Sequence, residues 1–309
     1  MIIREYYQPT APDPLLAPDQ VLGLALQHEP HARAVTGIDE SGGEARVYLI
    51  DDQLAMKVQR PPQLRSWTSL GKEVEFLQHL ARTAPDMSVP RVIGYGREAD
   101  VEYTLMTRMV GDAVVRTAVP DARRPEMLRT LGRTLRQIHA VPQGPLRDSG
   151  LFPEEYIPDD LQTTISQDFS EYAEAMAKHG IAWPWPWTVN ELIERAVRNI
   201  PRDSPGVAVH SNPGPTHTFV DPETGLFTGL IDFGDAYIGH PADDLVPWPS
   251  PEDRRHVLDG YLEAGDPGPA FWGYWPAAEV SADLLYIIRS SQHRGDCIQH
   301  VHQIVHDRW

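Results

Sequence analysis

The chain has 309 residues, of which 41% are hydrophobic and 23% charged, an ordinary composition for a globular protein of one large domain or two lobes. Its 44 acidic residues outnumber the 27 basic ones and give a formal charge of -17. This excess disfavours nucleic acid and anionic membranes as partners and favours cationic small molecules, unless it serves solubility alone. The single Cys297 excludes an internal disulfide and a thiolate metal cage. No apolar run approaches the roughly 20 residues of a membrane span and no secretory signal opens the chain, so we expect a cytoplasmic protein.

The first third of the chain predicts a small antiparallel sheet with two helices. Residues 17–32 are expected to form a helix, because Leu22, Leu24 and Leu26 supply an apolar side. Apolar and β-branched segments separated by turn sequences predict a meander of three strands at residues 34–39, 46–50 and 54–59. A second helix is expected at residues 68–83, followed by strands at residues 91–95 and 102–106.

After Gly111 the pattern changes and helices predominate. Residues 125–139 predict an amphipathic helix that Pro142 stops. Residues 148–187 combine acidic and aromatic side chains, and the Trp-Pro-Trp-Pro-Trp run at 183–187 cannot form a regular helix interior. We interpret this region as a long connection whose tryptophans either line a wall for a cationic substrate or pack onto the core.

The segment from 210 to 245 carries the chemistry. An apolar strand at 227–231 ends in an Asp-Phe-Gly step at Asp232, and a polar loop that begins at His210 precedes it. This spacing is typical of a phosphoryl-transfer site, which needs a group that orients the attacking hydroxyl and ligands that hold magnesium. The orienting position, two residues after the loop histidine, is occupied by Asn212 instead of an aspartate.

The chain as a whole resembles the aminoglycoside phosphotransferase family, which is related in fold to the protein kinases. The resemblance rests on Gly42-Gly43 between two strands, Lys57 in Leu-Ala-Met-Lys-Val, Glu73 in the next helix, LGRTLRQIHAVP at 131–142 and IDFG at 231–234. It implies an α+β, bilobal, protein-kinase-like fold. A small antiparallel-sheet lobe that binds nucleotide is expected at residues 1–106, a hinge at 107–111, and a larger, mainly helical lobe with the catalytic loop and substrate site at 112–309.

The resemblance implies a catalytic role for Lys57 and Glu73. Lys57 would direct its ammonium from the sheet towards the phosphates of ATP or GTP, and Glu73 on the facing helix would pair with it and fix its position. Glu75 is the neighbouring alternative, but it lies on another face of the helix. A lysine on an edge strand that reaches solvent is the other interpretation of Lys57.

Two backbone segments would complete the nucleotide site. Ser41, Gly42 and Gly43 would form a turn whose N–H groups cover the phosphates, although an ordinary hairpin turn has the same sequence pattern. The stretch from Thr107 to Met109 matches the family's linker between the lobes, whose backbone pairs with the purine edge. Its side chains do not distinguish ATP from GTP.

The metal ligands implied by the resemblance are Asp232 and His217, which together would bind Mg2+. Asp232 is otherwise a turn former at the end of a strand, and His217 stands where many members carry Asn. The branch that phosphorylates the double-prime ring of aminoglycosides commonly has His there, and neutral imidazole is a possible magnesium ligand. His210 is expected to hold the loop by hydrogen bonds and Asp244 to support it, whereas His240 replaces an aspartate usual in the family.

Asn212 decides how the activity is described. An aspartate there would accept a hydrogen bond from the substrate hydroxyl and attract its proton, but an amide can only position the hydroxyl. This loss costs about 10² to 10⁴ in rate and leaves nucleotide and magnesium binding intact. We therefore expect a phosphotransferase, impaired or engineered at Asn212, that moves the γ-phosphate of ATP or GTP to a hydroxyl of an aminoglycoside or similar antibiotic.

Two alternatives remain open from the sequence. One is a non-catalytic nucleotide-binding pseudokinase, and the other is a kinase of an amino alcohol or sugar metabolite. In each enzymatic interpretation the acceptor is a cationic or polar small molecule, for whose ammonium groups Asp235 and the acidic stretch 154–174 are candidate partners. Neither nucleic acid nor a membrane is expected as a partner.

Overall fold

The computed structural model describes residues 15–60, 69–98, 101–152, 161–202 and 206–309, which form an α+β fold of two lobes. The α-helices are α1 (Pro18–Leu26), α2 (Leu70–Thr83), α3 (Arg124–His139), α4 (Gly144–Asp148), α5 (Leu161–Lys178), α6 (Val189–Val197), α7 (Pro251–Leu262), α8 (Pro269–Arg289) and α9 (Arg294–Arg308). The strands are β1 (Val35–Asp39), β2 (Ala45–Ile50), β3 (Leu54–Gln59), β4 (Val92–Glu98), β5 (Val101–Thr107), β6 (Asp112–Ala113), β7 (Val207–Val209), β8 (Thr218–Val220), β9 (Phe227–Leu230) and β10 (Tyr237–Gly239). Within the described ranges, none of the helices combines the length and the apolarity that crossing a bilayer requires.

The small lobe is a five-stranded antiparallel sheet with the strand order β1-β2-β3-β5-β4. The predicted meander of three strands is confirmed, and β4 and β5 are each longer than the sequence predicted. Helix α1 is shorter than predicted, since it ends at Leu26 instead of extending to residue 32. The physical reason is Pro30, which disfavours helical backbone at the residue before it.

The alternation of side chains along β3 separates the core of the small lobe from its functional face. Met56 and Val58 are buried in one hydrophobic cluster with Val21 of α1. Ala55 and Lys57 therefore point to the opposite face, which is covered by α2. The sheet thus delivers the lysine to the side that faces the large lobe.

Helix α2 begins where Ser69 accepts a hydrogen bond from the N–H of Lys72, which satisfies one of the free donors of the first turn. Leu70, Glu73 and Leu77 follow at three- and four-residue steps, so they share the buried face of the helix. A carboxylate at the middle of an apolar face is costly unless it is paired. Its partner is the lysine of β3.

The large lobe is built from helices around one extended core. Its tightest contact is between α3 and α7, where glycines replace larger side chains at the crossing. A Cβ on Gly132 would lie 2.0 Å from the carbonyl oxygen of Val257, and a Cβ on Gly260 would lie 2.0 Å from that of Arg129. Any larger residue would therefore push the helices apart.

The interpretation of residues 148–187 as one long connection is wrong, because α5 occupies 18 residues of it. Leu161, Ile165, Phe169, Tyr172 and Met176 are buried at helical spacing, a pattern that the many acidic residues conceal. Glu154, Glu155, Asp159 and Asp160 lie outside the described residues.

The tryptophan run lies between α5 and α6 and is not helical, as predicted. Trp185 is buried, and its indole N–H donates to the carbonyl of Ile298 on α9 over 3.2 Å. The ring centroids of Trp183 and Trp185 lie 4.8 Å apart, with the rings nearly perpendicular. Of the two interpretations offered for these tryptophans, packing onto the core is the one that the contacts support.

Two small sheets carry the loops of the site. Strand β10 pairs with β7, and β8 lies between β6 and β9 in a three-stranded sheet. The pairing of Thr218 with Leu230 places the residues on either side of this hairpin next to each other. A hydrogen bond of 3.1 Å from the N–H of Ile231 to the carbonyl of His217 extends the pairing by one step.

Candidate functional site

Lys57, Glu73 and Asp232 meet where the small lobe contacts the large one. The ammonium of Lys57 lies 2.8 and 2.9 Å from the two oxygens of Glu73 and 2.6 Å from Oδ1 of Asp232. Lys57 and Glu73 are nearly or fully buried, with side-chain exposures of 12% and 1%, while Asp232 is 40% exposed. Glu75, the alternative partner, instead lies 3.6 Å from Arg82 on its own helix.

The charges of this group depend on one another. Burial alone would lower the pKa of Lys57, but the carboxylates of Asp232 and Glu73 outweigh it and raise the pKa above its ordinary value. Enclosure acts to raise the pKa of Asp232, yet the cation of Lys57 and the neighbouring His217 hold it well below its ordinary value. At neutral pH the site therefore contains a fixed ammonium and an ionised carboxylate.

The Asp-Phe-Gly turn is tied to the same group. Asp232 has a φ of 73°, a left-handed conformation that is unusual for a residue with a side chain. The N–H of the following Phe233 donates to Oε1 of Glu73 over 3.2 Å. The ring of Phe233 is buried against Phe76 of α2 and against His210, at centroid distances of 5.3 and 4.6 Å. The turn is therefore fixed from both lobes.

His217 and Asp232 present two potential ligand atoms to the same point. Nδ1 of His217 lies 2.8 Å from the carbonyl of Asn212 and must carry a proton, because a carbonyl oxygen only accepts. In the neutral ring, the lone pair of Nε2 then faces Oδ2 of Asp232 at 3.2 Å. Two acceptors at this distance are stable only with a proton or a cation between them. One carboxylate oxygen and one imidazole nitrogen thus fit a magnesium ion that keeps water or phosphate oxygens as its other ligands.

The backbone of Asn212 is held from both sides while its side chain is exposed. Its N–H donates to Nδ1 of His210 over 3.2 Å, and its carbonyl accepts from His217. His210 in turn donates from Nε2 to the carbonyl of Ile231 over 2.8 Å. Both ring nitrogens of His210 are thus used, and burial lowers its pKa to about 4, so it is a neutral structural group.

Asp244 holds the backbone of the loop that carries Asn212. It is fully buried, and its two oxygens accept the N–H groups of His210 and Ser211, each over 2.7 Å. Ser211 has a φ of 81°, so these bonds hold a strained backbone immediately before Asn212. Oδ2 of Asp244 also lies 3.0 Å from Nε2 of His139 on α3, a residue to which the sequence assigned no role.

The two predicted backbone segments lie in the small lobe and at its end. Ser41, Gly42 and Gly43 lie in the turn between β1 and β2. Thr107 ends β5, and the N–H and C=O of Met109 form no hydrogen bond in the part of the chain that the structure describes. A Cβ on Gly229 would come within 2.4 Å of the sulfur of Met109, so that glycine leaves room for the methionine.

The acidic residues that the sequence offered for binding an acceptor differ in their exposure to solvent. Asp235 is partly exposed and lies three residues after Asp232. Asp168 is 4% exposed and accepts a hydrogen bond from Ser281 of α8 over 3.3 Å, so it belongs to the packing of the large lobe. Glu171 and Glu174 of the same helix are exposed.

A sheet lobe joined to a helical lobe, with Lys57 paired to Glu73 and an Asp-Phe-Gly turn between the lobes, defines the class of kinase-like phosphotransferases. The sequence profile of a phosphotransferase enzyme family matches residues 36–275. The chain therefore belongs to this family.

Known proteins agree with that assignment. The chain is 23% identical over 238 residues to an aminoglycoside 3'-phosphotransferase of Streptomyces ribosidificus, an alignment that covers 72% of this chain and 86% of the relative. It superposes on the gentamicin complex of APH(2")-IIa with a TM-score of 0.58 at 16% identity, covering 95% of this chain and 98% of the other. For the GDP complex of aminoglycoside 2'-phosphotransferase-IIIa the TM-score is 0.59 at 13% identity, with coverages of 95% and 100%. These structures show the shared fold.

Proposed function

We propose that this chain is a phosphotransferase that moves the γ-phosphate of ATP or GTP to a hydroxyl of an aminoglycoside or similar cationic antibiotic. Asn212 occupies the position of the catalytic base, so the rate of transfer is reduced. The observation that carries the proposal is the convergence of Lys57, Asp232 and His217 within 3.2 Å contacts beside the exposed side chain of Asn212. The family and the substrates named for its relatives support the antibiotic as acceptor.

Different groups of the chain would bind the phosphates, the purine and the magnesium ion of the nucleotide. Lys57 would bind phosphate oxygens, and Glu73 would keep its ammonium in place. The backbone of the 41–43 turn would cover the phosphates, and the uncommitted backbone groups of Met109 would receive the purine edge. Asp232 and His217 would hold magnesium, which when bound neutralises charge on the phosphate oxygens.

Asn212 would orient the acceptor without removing its proton. Its side-chain oxygen would accept a hydrogen bond from the acceptor hydroxyl, and the two backbone hydrogen bonds fix the point from which the side chain extends. Because phosphoryl transfer has a largely dissociative transition state, positioning alone retains part of the catalysis. The net charge of -17 and the partly exposed Asp235 favour an acceptor that carries ammonium groups.

The test is the substitution Asn212→Asp, assayed by transfer of labelled γ-phosphate from ATP and from GTP to a panel of aminoglycosides, amino alcohols and sugars. We expect a gain of about 10²-fold or more on an aminoglycoside, because a general base is restored. Asn199→Asp is the matched control, since it makes the same charge change at an exposed position in the turn after α6. It should leave the rate unchanged.

Two other outcomes identify the alternatives. Tight nucleotide binding without turnover on any acceptor in either form would mean a non-catalytic nucleotide-binding protein, the second candidate that Asn212 favours. Turnover restricted to an amino alcohol or a sugar would reject the antibiotic as acceptor while keeping the phosphotransferase.

A further inference from the structure

Arg116 forms a contact between the two lobes that is separate from the ion pairs of the site. It ends a short 3-10 helix (Val114–Arg116) of the large lobe, and its guanidinium reaches the turn between β1 and β2. Nη1 lies 3.2 Å from Oδ2 of Asp39, and Nη2 donates to Oγ of Ser41 over 2.6 Å. The two partners lie at the start of the turn that would cover the phosphates.

The small-lobe side of this contact is itself organised. Oδ1 of Asp39 accepts the N–H and the hydroxyl of Ser41 over 2.8 and 2.6 Å. Partial burial acts to raise the pKa of Asp39, but the hydrogen bonds from Ser41 and Arg116 hold it below its ordinary value, so the carboxylate is ionised at neutral pH. The N–H of Gly42 forms no hydrogen bond in the described residues. The side chains thus fix the turn and leave this amide for a ligand.

The large-lobe side is fixed to the loop of Asn212. The N–H of Val115 donates to the carbonyl of Pro215 over 2.9 Å. The preceding strand β6 pairs with β8, where Ala113 lies opposite Phe219. The short helix therefore moves with the catalytic loop and its hairpin, and Arg116 links this unit directly to the phosphate-covering turn.

We propose that Arg116 is a positioning residue that holds the 41–43 turn over the cleft, so that the triphosphate enters a preformed turn and leaves slowly. This rests on the proposed function, which supplies the nucleotide. Arg116 and Asp39 are 56% and 38% exposed, so the pair contributes little to folding stability. Its effect lies in the ordering of the turn, because a loop that is already ordered loses less entropy when it binds a ligand.

The experiment measures dissociation of a fluorescent, non-hydrolysable ATP analogue with Mg2+ by stopped flow. Arg116→Ala should speed dissociation about fivefold, the size of an exposed charge pair, with an unchanged melting temperature. Arg116→Lys should recover part of the effect, since it keeps the charge but not the fork that reaches two partners. Arg97→Ala is the control, because it removes an exposed arginine that pairs with Glu102 inside the small lobe. It should leave the dissociation rate unchanged.

A double-mutant cycle with Asp39→Asn distinguishes a guanidinium that holds the turn from one that contacts the ligand directly. If Arg116 acts through Asp39, then Asp39→Asn also speeds dissociation, and the double variant is no faster than Arg116→Ala. A full effect of Arg116→Ala with none from either Asp39→Asn or Ser41→Ala would mean that the guanidinium binds the phosphates itself, and would overturn the proposal.

A second measurement needs no nucleotide. In the free protein, Arg116→Ala should increase amide hydrogen exchange at Ser41, whose N–H donates to Asp39, while exchange in α3 stays unchanged. Unchanged amide exchange at Ser41 would overturn the proposed positioning role of Arg116, even if nucleotide binds. Should the wild type bind neither ATP nor GTP, the proposed function fails, and this exchange measurement still decides whether Arg116 orders the turn.

Discussion

Asp232 is the residue on which the contacts of the site converge. One oxygen accepts from Lys57 and the other faces Nε2 of His217, while its backbone is held at a φ of 73°. A carboxylate is required for both contacts, since one partner is a cation and the other demands a proton or a metal between the two atoms. Its side chain is 40% exposed, so these contacts contribute less to folding stability than those of a fully buried pair.

Replacing Asp232 by Asn therefore separates metal binding from folding. We expect Asp232→Asn to weaken binding of ATP in the presence of Mg2+ about tenfold or more, because a charged acceptor and ligand is lost. Binding of metal-free ATP should change less, since Lys57 keeps its pair with Glu73. Titration calorimetry with and without Mg2+ measures both affinities.

The control for this variant is Asp221→Asn, which changes a partly exposed aspartate in the turn of the same hairpin. It should leave both affinities as they are. An equal loss with and without Mg2+ in Asp232→Asn would contradict a role as metal ligand.

Single residues were predictable where local periodicity and the family resemblance agree. Lys57 follows from strand alternation, and Glu73 from helical spacing beside Leu70 and Leu77. Nothing local marks His139 or Arg116, whose partners lie 105 and 77 residues away in the chain. Such contacts depend on how the elements pack, and a single sequence carries no signal for them.

Among the elements, the junction of α3 with the catalytic loop depends on one buried carboxylate. Asp244 accepts two backbone N–H groups of the loop and faces His139, whose Nδ1 lies 3.0 Å from the hydroxyl of Tyr261 on α7. Two helices and the loop thus share one network. The adjacent Asp243 has different partners: within the described ranges its carboxylate accepts only the hydroxyls of Tyr237 and Tyr274.

These two neighbouring aspartates should respond differently to the same substitution. Asp244→Asn should lower the free energy of unfolding by about 3 kcal/mol, because an amide NH2 would face backbone N–H groups that have no other partner. Asp243→Asn should cost less than about 1 kcal/mol, since a tyrosine hydroxyl can accept from an amide as well as donate. Urea unfolding at pH 7 measures both values. Equal losses would contradict this account.

The elements that the sequence missed were those in which polar residues conceal the pattern. The sequence does not predict helix α5, because acidic residues such as Glu171 and Glu174 conceal the helical spacing of its apolar residues. The five strands of the small lobe were predictable, since each is short, alternates and ends at a turn sequence. Their order, with β5 between β3 and β4, required the three-dimensional structure.

For the whole molecule, two buried histidines link stability to pH. Burial lowers the pKa of His210 and of His240 to about 4 each, against about 6.5 in an unfolded chain. The unfolded state therefore binds more protons between these values, and stability falls as pH is lowered from about 6.5 to about 4. Asp243 acts in the opposite direction. Burial raises its pKa to about 6, so the folded state takes up its proton first and gains stability over part of the same range.

His240 allows the histidine contribution to be isolated, because its ring packs against Phe271 and Tyr274 and makes no contact with His217 or Asp232 among the described residues. Its Nδ1 accepts the N–H of Ala242 at the start of a 3-10 helix. Asn at this position can also accept that N–H but does not titrate. We expect His240→Asn to reduce the stability lost between pH 8 and pH 5 by about 2 kcal/mol, as measured by urea unfolding at each pH. His306→Asn, at an exposed site, should not change the loss. An identical pH dependence in His240→Asn and the wild type would show that this histidine is not held neutral by the fold.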